Sequence, residues 1–186
     1  MKIATAVFCC SLLIANLAIA EQPASAPAKS TNGKSTDAPS PDASGYFKAG
    51  FDRLASYSFV PPEADEGAKP GTPPPSGAKQ IPDAIKALDG QKVIVTGFVM
   101  PVKMEKGFTT ELLLVSSPQL CCYGVSPQFN EFVVVKMKKD SGGVKPPMDV
   151  PVEFYGKLSV KEVFEDGYLS SIYTLEGEKM GKSAVE

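Results

Sequence analysis

From Lys92 onward, apolar and polar residues alternate at the two-residue spacing of a half-buried strand. Between Lys92 and Met104, Val93, Val95, Gly97 and Val99 share one face, while Ile94, Thr96, Phe98 and Met100 share the other. Gly97 and Pro101 interrupt this run as residues at a bulge or bend do. Lys106-Gly107 makes a turn into a second predicted strand, Phe108 to Ser116, which carries Leu112, Leu113 and Leu114. A third strand is predicted over Glu131 to Lys139, ending at Asp140-Ser141-Gly142-Gly143. A fourth, Val150 to Phe164, bends near Gly156, and Asp166-Gly167 turns into a fifth, Tyr168 to Leu175. Ahead of the first strand, Ile81, Ile85 and Leu88 recur at helical spacing. Pro82 suits a first helical turn and Asp89-Gly90 ends it. One short N-terminal helix and five strands, the first and fourth long and bent, predict a mainly β fold. Strand number and length point to a small OB-like antiparallel β-barrel.

Before the barrel the pattern changes three times. Lys2 opens an apolar run from Ile3 to Ala20, broken only by Thr5, Ser11 and Asn16 and ending in Ala18-Ile19-Ala20. A positive start, an apolar middle and small residues at the end predict a signal peptide over residues 1–20, cleaved after Ala20. The expected location is periplasmic or otherwise exported. No later run is long enough to span a bilayer, so no transmembrane segment is expected after cleavage. Residues 21–45, rich in Ala, Pro, Ser and Thr, cannot bury enough apolar surface to offset chain entropy, which predicts a disordered linker. Residues 46–80 combine an aromatic segment with a Pro-rich loop. Tyr46, Phe47, Phe51, Tyr57 and Phe59 are too dense for a linker. They predict a helical turn around Phe51 to Leu54, then an extended piece, Ser56 to Val60, docked on the main domain. The barrel is expected over residues 81–180, with 181–186 as a tail.

Composition narrows the chemistry. The formal net charge is −2, and Arg53 is the single arginine. Few bidentate guanidinium forks and a weakly acidic balance argue against nucleic acid as a partner. Histidine is absent, so no Ser-His-Asp set can form. No Gly-rich phosphate loop, nucleotide fingerprint or paired-carboxylate signature appears. No catalytic residue is expected, and the chain reads as a binding protein rather than an enzyme. Lys136, Lys138 and Lys139 read as a solvated strand end. Tyr155, Tyr168 and Tyr173 fall at strand spacing and are expected mainly in the core.

The candidate chemistry lies in the loop between the second and third strands. Cys9 and Cys10 belong to the signal peptide, which leaves Cys121 and Cys122 as the only thiols beyond it. Adjacent α-carbons are about 3.8 Å apart, whereas disulfides want roughly 4.4–6.8 Å. A bridge between them would therefore be strained and easily reduced. Tyr123, Gly124 and Pro127 favour a turning loop in which both sulfurs can converge. Three readings stay open: buried structural thiols, a metal site, and a redox or ring-disulfide pair. Zinc wants about four ligands, which would require Glu131, Glu111 or Asp166 beside the thiols. Copper as Cu(I) accepts thiolate and thioether ligands, and Met100, Met104, Met137 and Met148 are available. Asn130 is placed to orient the loop through side-chain hydrogen bonds.

Several short stretches resemble a known family. They are Ile81-Pro82, Ala87-Leu88-Asp89-Gly90, Thr96-Gly97-Phe98-Val99-Met100-Pro101, Glu111-Leu112-Leu113-Leu114, Cys121-Cys122-Tyr123-Gly124, Asn130-Glu131 and Phe154-Tyr155-Gly156-Lys157-Leu158. Together they resemble the DUF3299 family, exported bacterial proteins of unknown function, over about Phe51 to Met180. Many members carry Cys-x-His, several prolines and an Asn at this loop. Here the loop reads Cys-Cys-Tyr-Gly, so the histidine has no counterpart. The resemblance implies an OB-like barrel in a metal-handling or transporter-accessory context. The expected function is thus an exported accessory binding protein of the cell envelope, acting through the Cys121-Cys122 loop on an envelope protein or transporter. A thiol–disulfide redox protein and a structural interaction module with buried cysteines are the alternatives.

Overall fold

The computed structural model describes residues 41–63, 72–119, 126–147 and 149–183, all within the unit Ala38–Glu186. The alternating runs form strands. In chain order these are β1 (Phe47–Lys48), β2 (Lys92–Glu105), β3 (Phe108–Val115), β4 (Phe132–Met137), β5 (Val152–Glu165) and β6 (Tyr168–Ser183). They make a mainly β, six-stranded sheet of order β1-β2-β3-β4-β6-β5, and an additional β2–β5 pairing closes β2 to β6 into a ring. All ring pairings are antiparallel except β4–β6, which is parallel with Val134 opposite Thr174. The one parallel pairing in this otherwise antiparallel ring has a geometric reason. Direction reverses at each antiparallel step, so a ring with an odd number of strands must contain a like-directed pair.

Local chemistry explains the joints. Lys106-Gly107 and Asp166-Gly167 each place two successive residues at positive φ, the backbone of a tight hairpin turn whose twist matches its strands. The irregularity in β2 falls between Pro101 and Met104, as register shifts against β3. Gly97 marks a close approach instead. A Cβ there would lie 2.7 Å from the Val115 carbonyl and 2.9 Å from the Phe51 ring. In β5, register shifts at Gly156, where a Cβ would collide with the Glu176 carbonyl.

The aromatic segment belongs to the same core as the ring. α1 (Phe51–Leu54) buries Leu54 completely, and Phe59 is buried beside it. α2 is shorter than its spacing suggests, Asp83–Lys86 only, yet Ile81, Ile85 and Leu88 are all buried. These side chains pack with Leu112, Leu114, Val133, Phe154, Leu158 and Tyr173 of the ring. The ends of the Pro-rich stretch are also held. Gln80 imitates a strand partner for Val60, accepting its N–H at 3.0 Å and donating to its carbonyl at 2.8 Å. Glu162 of β5 accepts the Gly77 N–H at 2.6 Å and the Ser76 hydroxyl.

Two outer boundaries differ from expectation. Asp42 accepts hydrogen bonds from the Ser44 N–H and hydroxyl and from the Tyr46 N–H, so a built turn occupies the end of the expected linker. β6 runs to Ser183, well past Leu175 and into the expected tail. Its second half pairs with the start of β5, with Lys179 opposite Tyr155 and Met180 opposite Phe154.

Candidate functional site

Leu120 to Val125, including Cys121, Cys122, Tyr123 and Gly124, lie outside the described residues. The neck from which that loop emerges is described in full. β3 and β4 converge on it, with Val115 opposite Phe132 as the last rung and the Ser116 N–H donating to the Glu131 carbonyl at 3.3 Å. On the β4 side a turn closes on itself. The Glu131 N–H donates to the Gln128 carbonyl, and the Gln128 N–H donates to the Glu131 carboxylate, both at 2.9 Å.

The neck is fastened to the aromatic segment. Phe129 meets Phe59 edge-on at 6.2 Å between ring centres and lies tilted against Phe132 at 5.9 Å. Asn130 is buried, and its Nδ2 donates to the Tyr57 carbonyl. Among the described residues its Oδ1 has no hydrogen-bond partner. A buried amide oxygen left so costs about 1–3 kcal/mol. Behind it, the Tyr173 hydroxyl donates to the Leu54 carbonyl at 3.0 Å and lies 2.8 Å from the Tyr57 hydroxyl. Tyr173 has a single proton, and the Leu54 carbonyl can only accept it. Tyr57 is therefore the donor between the two hydroxyls. Burial pushes both phenols above their ordinary range, so both remain neutral. The Asn130 side chain thus ties the neck to the aromatic segment, and Pro127, just ahead of the turn, is half-buried.

The candidate metal donors among the described residues lie apart. The Glu131 carboxylate is engaged with the Gln128 N–H. Glu111 pairs with Lys136 at 3.5 Å, and Asp166 occupies the β5–β6 turn. Met137 is buried where β4 meets Gly177, Met104 is exposed on the β2–β3 hairpin, and Met148 lies outside the described residues. No group of three or more Cys, Asp or Glu side chains suited to a metal occurs among the described residues. The tyrosines divide: Tyr173 is fully buried, Tyr155 stacks edge-on against Tyr46 at 5.3 Å, and Tyr168 is exposed. No helix among the described residues is long and apolar enough to cross a membrane.

One concave region escapes a sequence reading. At the other end of the β3–β4 ladder, lysines from β2, the β2–β3 turn, β4 and the segment after it line a single groove. Only the run Lys136, Lys138 and Lys139 is visible as a cluster along the chain. The register that brings Lys103 and Lys106 beside it is not.

Comparison with known proteins gives a family and a fold relative. The family described as "Protein of unknown function (DUF3299)" matches residues 67–182. No curated protein matches the chain. Among solved structures, the chain is similar to a DUF3299 family protein from Pseudomonas aeruginosa PAO1. Identity is 23%, covering 72% of this chain and 93% of that one, with a TM-score of 0.48.

Proposed function

We propose, from the premise that this chain belongs to the DUF3299 family of proteins of unknown function, that it is an exported accessory binding protein of the cell envelope. Its binding element is the loop carrying Cys121 and Cys122, and its partner is another envelope protein, of which a transporter is one kind. The observation that carries the reading is the neck, where a buried Asn130 is bonded to the carbonyl of Tyr57, far away in sequence. A loop held firmly at its base by a rigid scaffold loses less freedom when a partner engages it. The lack of histidine, together with acidic side chains already engaged or dispersed, favours binding over acid–base catalysis. The thiols are recognition groups in this reading. Of the two metals considered, Cu(I) is the one that a thiolate pair suits.

The test places a photoreactive residue at Tyr123 in the full chain, in cells, with a second at Lys161 as control. An envelope-protein adduct is expected from the loop position and not from the control, and it should weaken in C121S and C122S. An adduct from Lys161 with none from Tyr123 would overturn the loop as the binding element. Cu(I) stoichiometry of the reduced chain, measured alongside, should fall in both serine variants. Serine variants with lower melting temperatures and unchanged adducts would make the thiols packing groups instead.

A further inference from the structure

One groove gathers five lysines from separate segments of this acidic chain. Lys103, Lys106, Lys136, Lys138 and Lys139 line a groove of about 650 Å³, with Glu105 and Glu111 as its acidic members. Both glutamates are already engaged: Glu105 with Lys103 at 2.8 Å, and Glu111 with Lys136 at 3.5 Å. Lys138 pairs with Glu178 at 3.1 Å. Lys106 and Lys139 form no ion pair among the described residues. Their fields nevertheless meet, because both charges, added to the Lys103 hydrogen bond, help hold the Glu105 carboxyl below its usual range.

The groove has a fixed frame. β2 beyond Gly97 pairs only with β3, so the hairpin projects past the part of β2 that β5 flanks. The opposite wall, Lys139 to Gly143, is tied to β3 through Thr109 and Val144, which exchange hydrogen bonds of 2.8 and 2.9 Å. Gly142 and Gly143 carry no side chains into the space. Phe108 and Met137 supply apolar lining. Phe108 is 39% exposed, with the Lys145 ammonium 4.6 Å from its ring centre.

We infer that this groove docks an extended acidic peptide segment of a partner protein. The sign of the lining sets the sign of the ligand. The cations are all lysine, point charges without the planar fork that favours bidentate grip on phosphate. A concave site with an apolar lining suits a chain in which acidic and apolar residues alternate, since an extended peptide sends successive side chains to opposite faces. A lipid surface would not enter it. This surface is independent of the cysteine loop, which leaves the opposite end of the β3–β4 ladder.

The experiment is fluorescence anisotropy of the full chain with a fluorescein-labelled peptide alternating Glu with Leu and Ala, at low and high salt. Binding should occur at low salt and weaken as salt rises. K106E/K139E should weaken it roughly tenfold or more while leaving the melting temperature unchanged, because neither lysine is buried or ion-paired. F108A should weaken it without altering the salt dependence. C121S/C122S should bind like wild type, so failure of the loop proposal and failure of this one are separable. Equal binding by K106E/K139E would overturn the inference. So would displacement of the peptide by inorganic phosphate more readily than by unlabelled peptide, or phosphatidylglycerol vesicles binding in preference to it.

Discussion

The two ends of the β3–β4 ladder face opposite demands. At the Phe132 end, Phe129, Asn130, Tyr57 and Tyr173 form a closed polar and aromatic knot in which burial leaves little room for change. At the Met137 end, Lys136 of β4 joins lysines from β2, the β2–β3 turn and the segment after β4 around an open groove. Identical backbone pairing therefore supports an energetically expensive end and an energetically cheap one. Substitutions at the knot should be read in stability, and substitutions at the groove in binding.

The hardest blow to the knot is removal of its apolar support. F59A and L54A should each lower unfolding stability by about 2–5 kcal/mol, since both side chains are buried in the shared core. Urea denaturation should show a lower midpoint at constant slope. Chains that unfold like wild type would mean the aromatic segment is not part of the cooperative core. Asn130 comes next. N130A should cost about 1–3 kcal/mol by stranding the Tyr57 carbonyl, offset in part because it also removes an acceptor with no described partner. A neutral result would show that the neck is not held by this bond. Y173F should cost about 0.5–1.5 kcal/mol, through the loss of its bond to Leu54 and of the acceptor geometry for Tyr57.

A smaller effect separates the ends by pH. Glu178 accepts from the Tyr46 hydroxyl at 2.7 Å and from Lys138 at 3.1 Å, and these bonds, Tyr46 first, hold its carboxyl below the usual range. A carboxyl depressed in the folded state contributes stability above its unfolded pKa and loses it as pH falls through the folded pKa. Stability measured from neutral pH downward should therefore decline on the acid side, and E178Q should flatten that decline. An unchanged acid limb in E178Q would remove Glu178 from the account. The smallest expected change is K106E/K139E, which should stay within about 0.5 kcal/mol of wild type by urea denaturation. A larger loss would make the groove a structural element.

Much of the ring was legible because strand alternation is a local property. The β2 run with its irregularity near Pro101 and the turns at Lys106-Gly107 and Asp166-Gly167 follow from residue type alone. The end of β6 was not legible. The strand reading stops at Leu175 and the tail is expected from residue 181, yet β6 continues along β5, with Lys179 opposite Tyr155 and Ser183 opposite Val152, across a register that no local pattern encodes. The parallel β4–β6 pairing is hidden for the same reason, as it joins strands that are not consecutive. Asn130 could be recognised as a residue that hydrogen-bonds. Its partner Tyr57 could not, because only the fold brings the two together. The groove needed three separated segments at once.

The two-residue strand β1 has a consequence for how copies of this chain coexist in solution. β5 occupies one side of β2 at Val93 and Ile94, and β3 begins pairing only at Phe98. Phe47 and Lys48 fill the remaining edge in parallel, and the Ala49 N–H continues the pattern to the Ile94 carbonyl at 2.9 Å. An uncovered strand edge is a template for another chain. This short stretch therefore acts as a built-in stopper against edge-to-edge self-association.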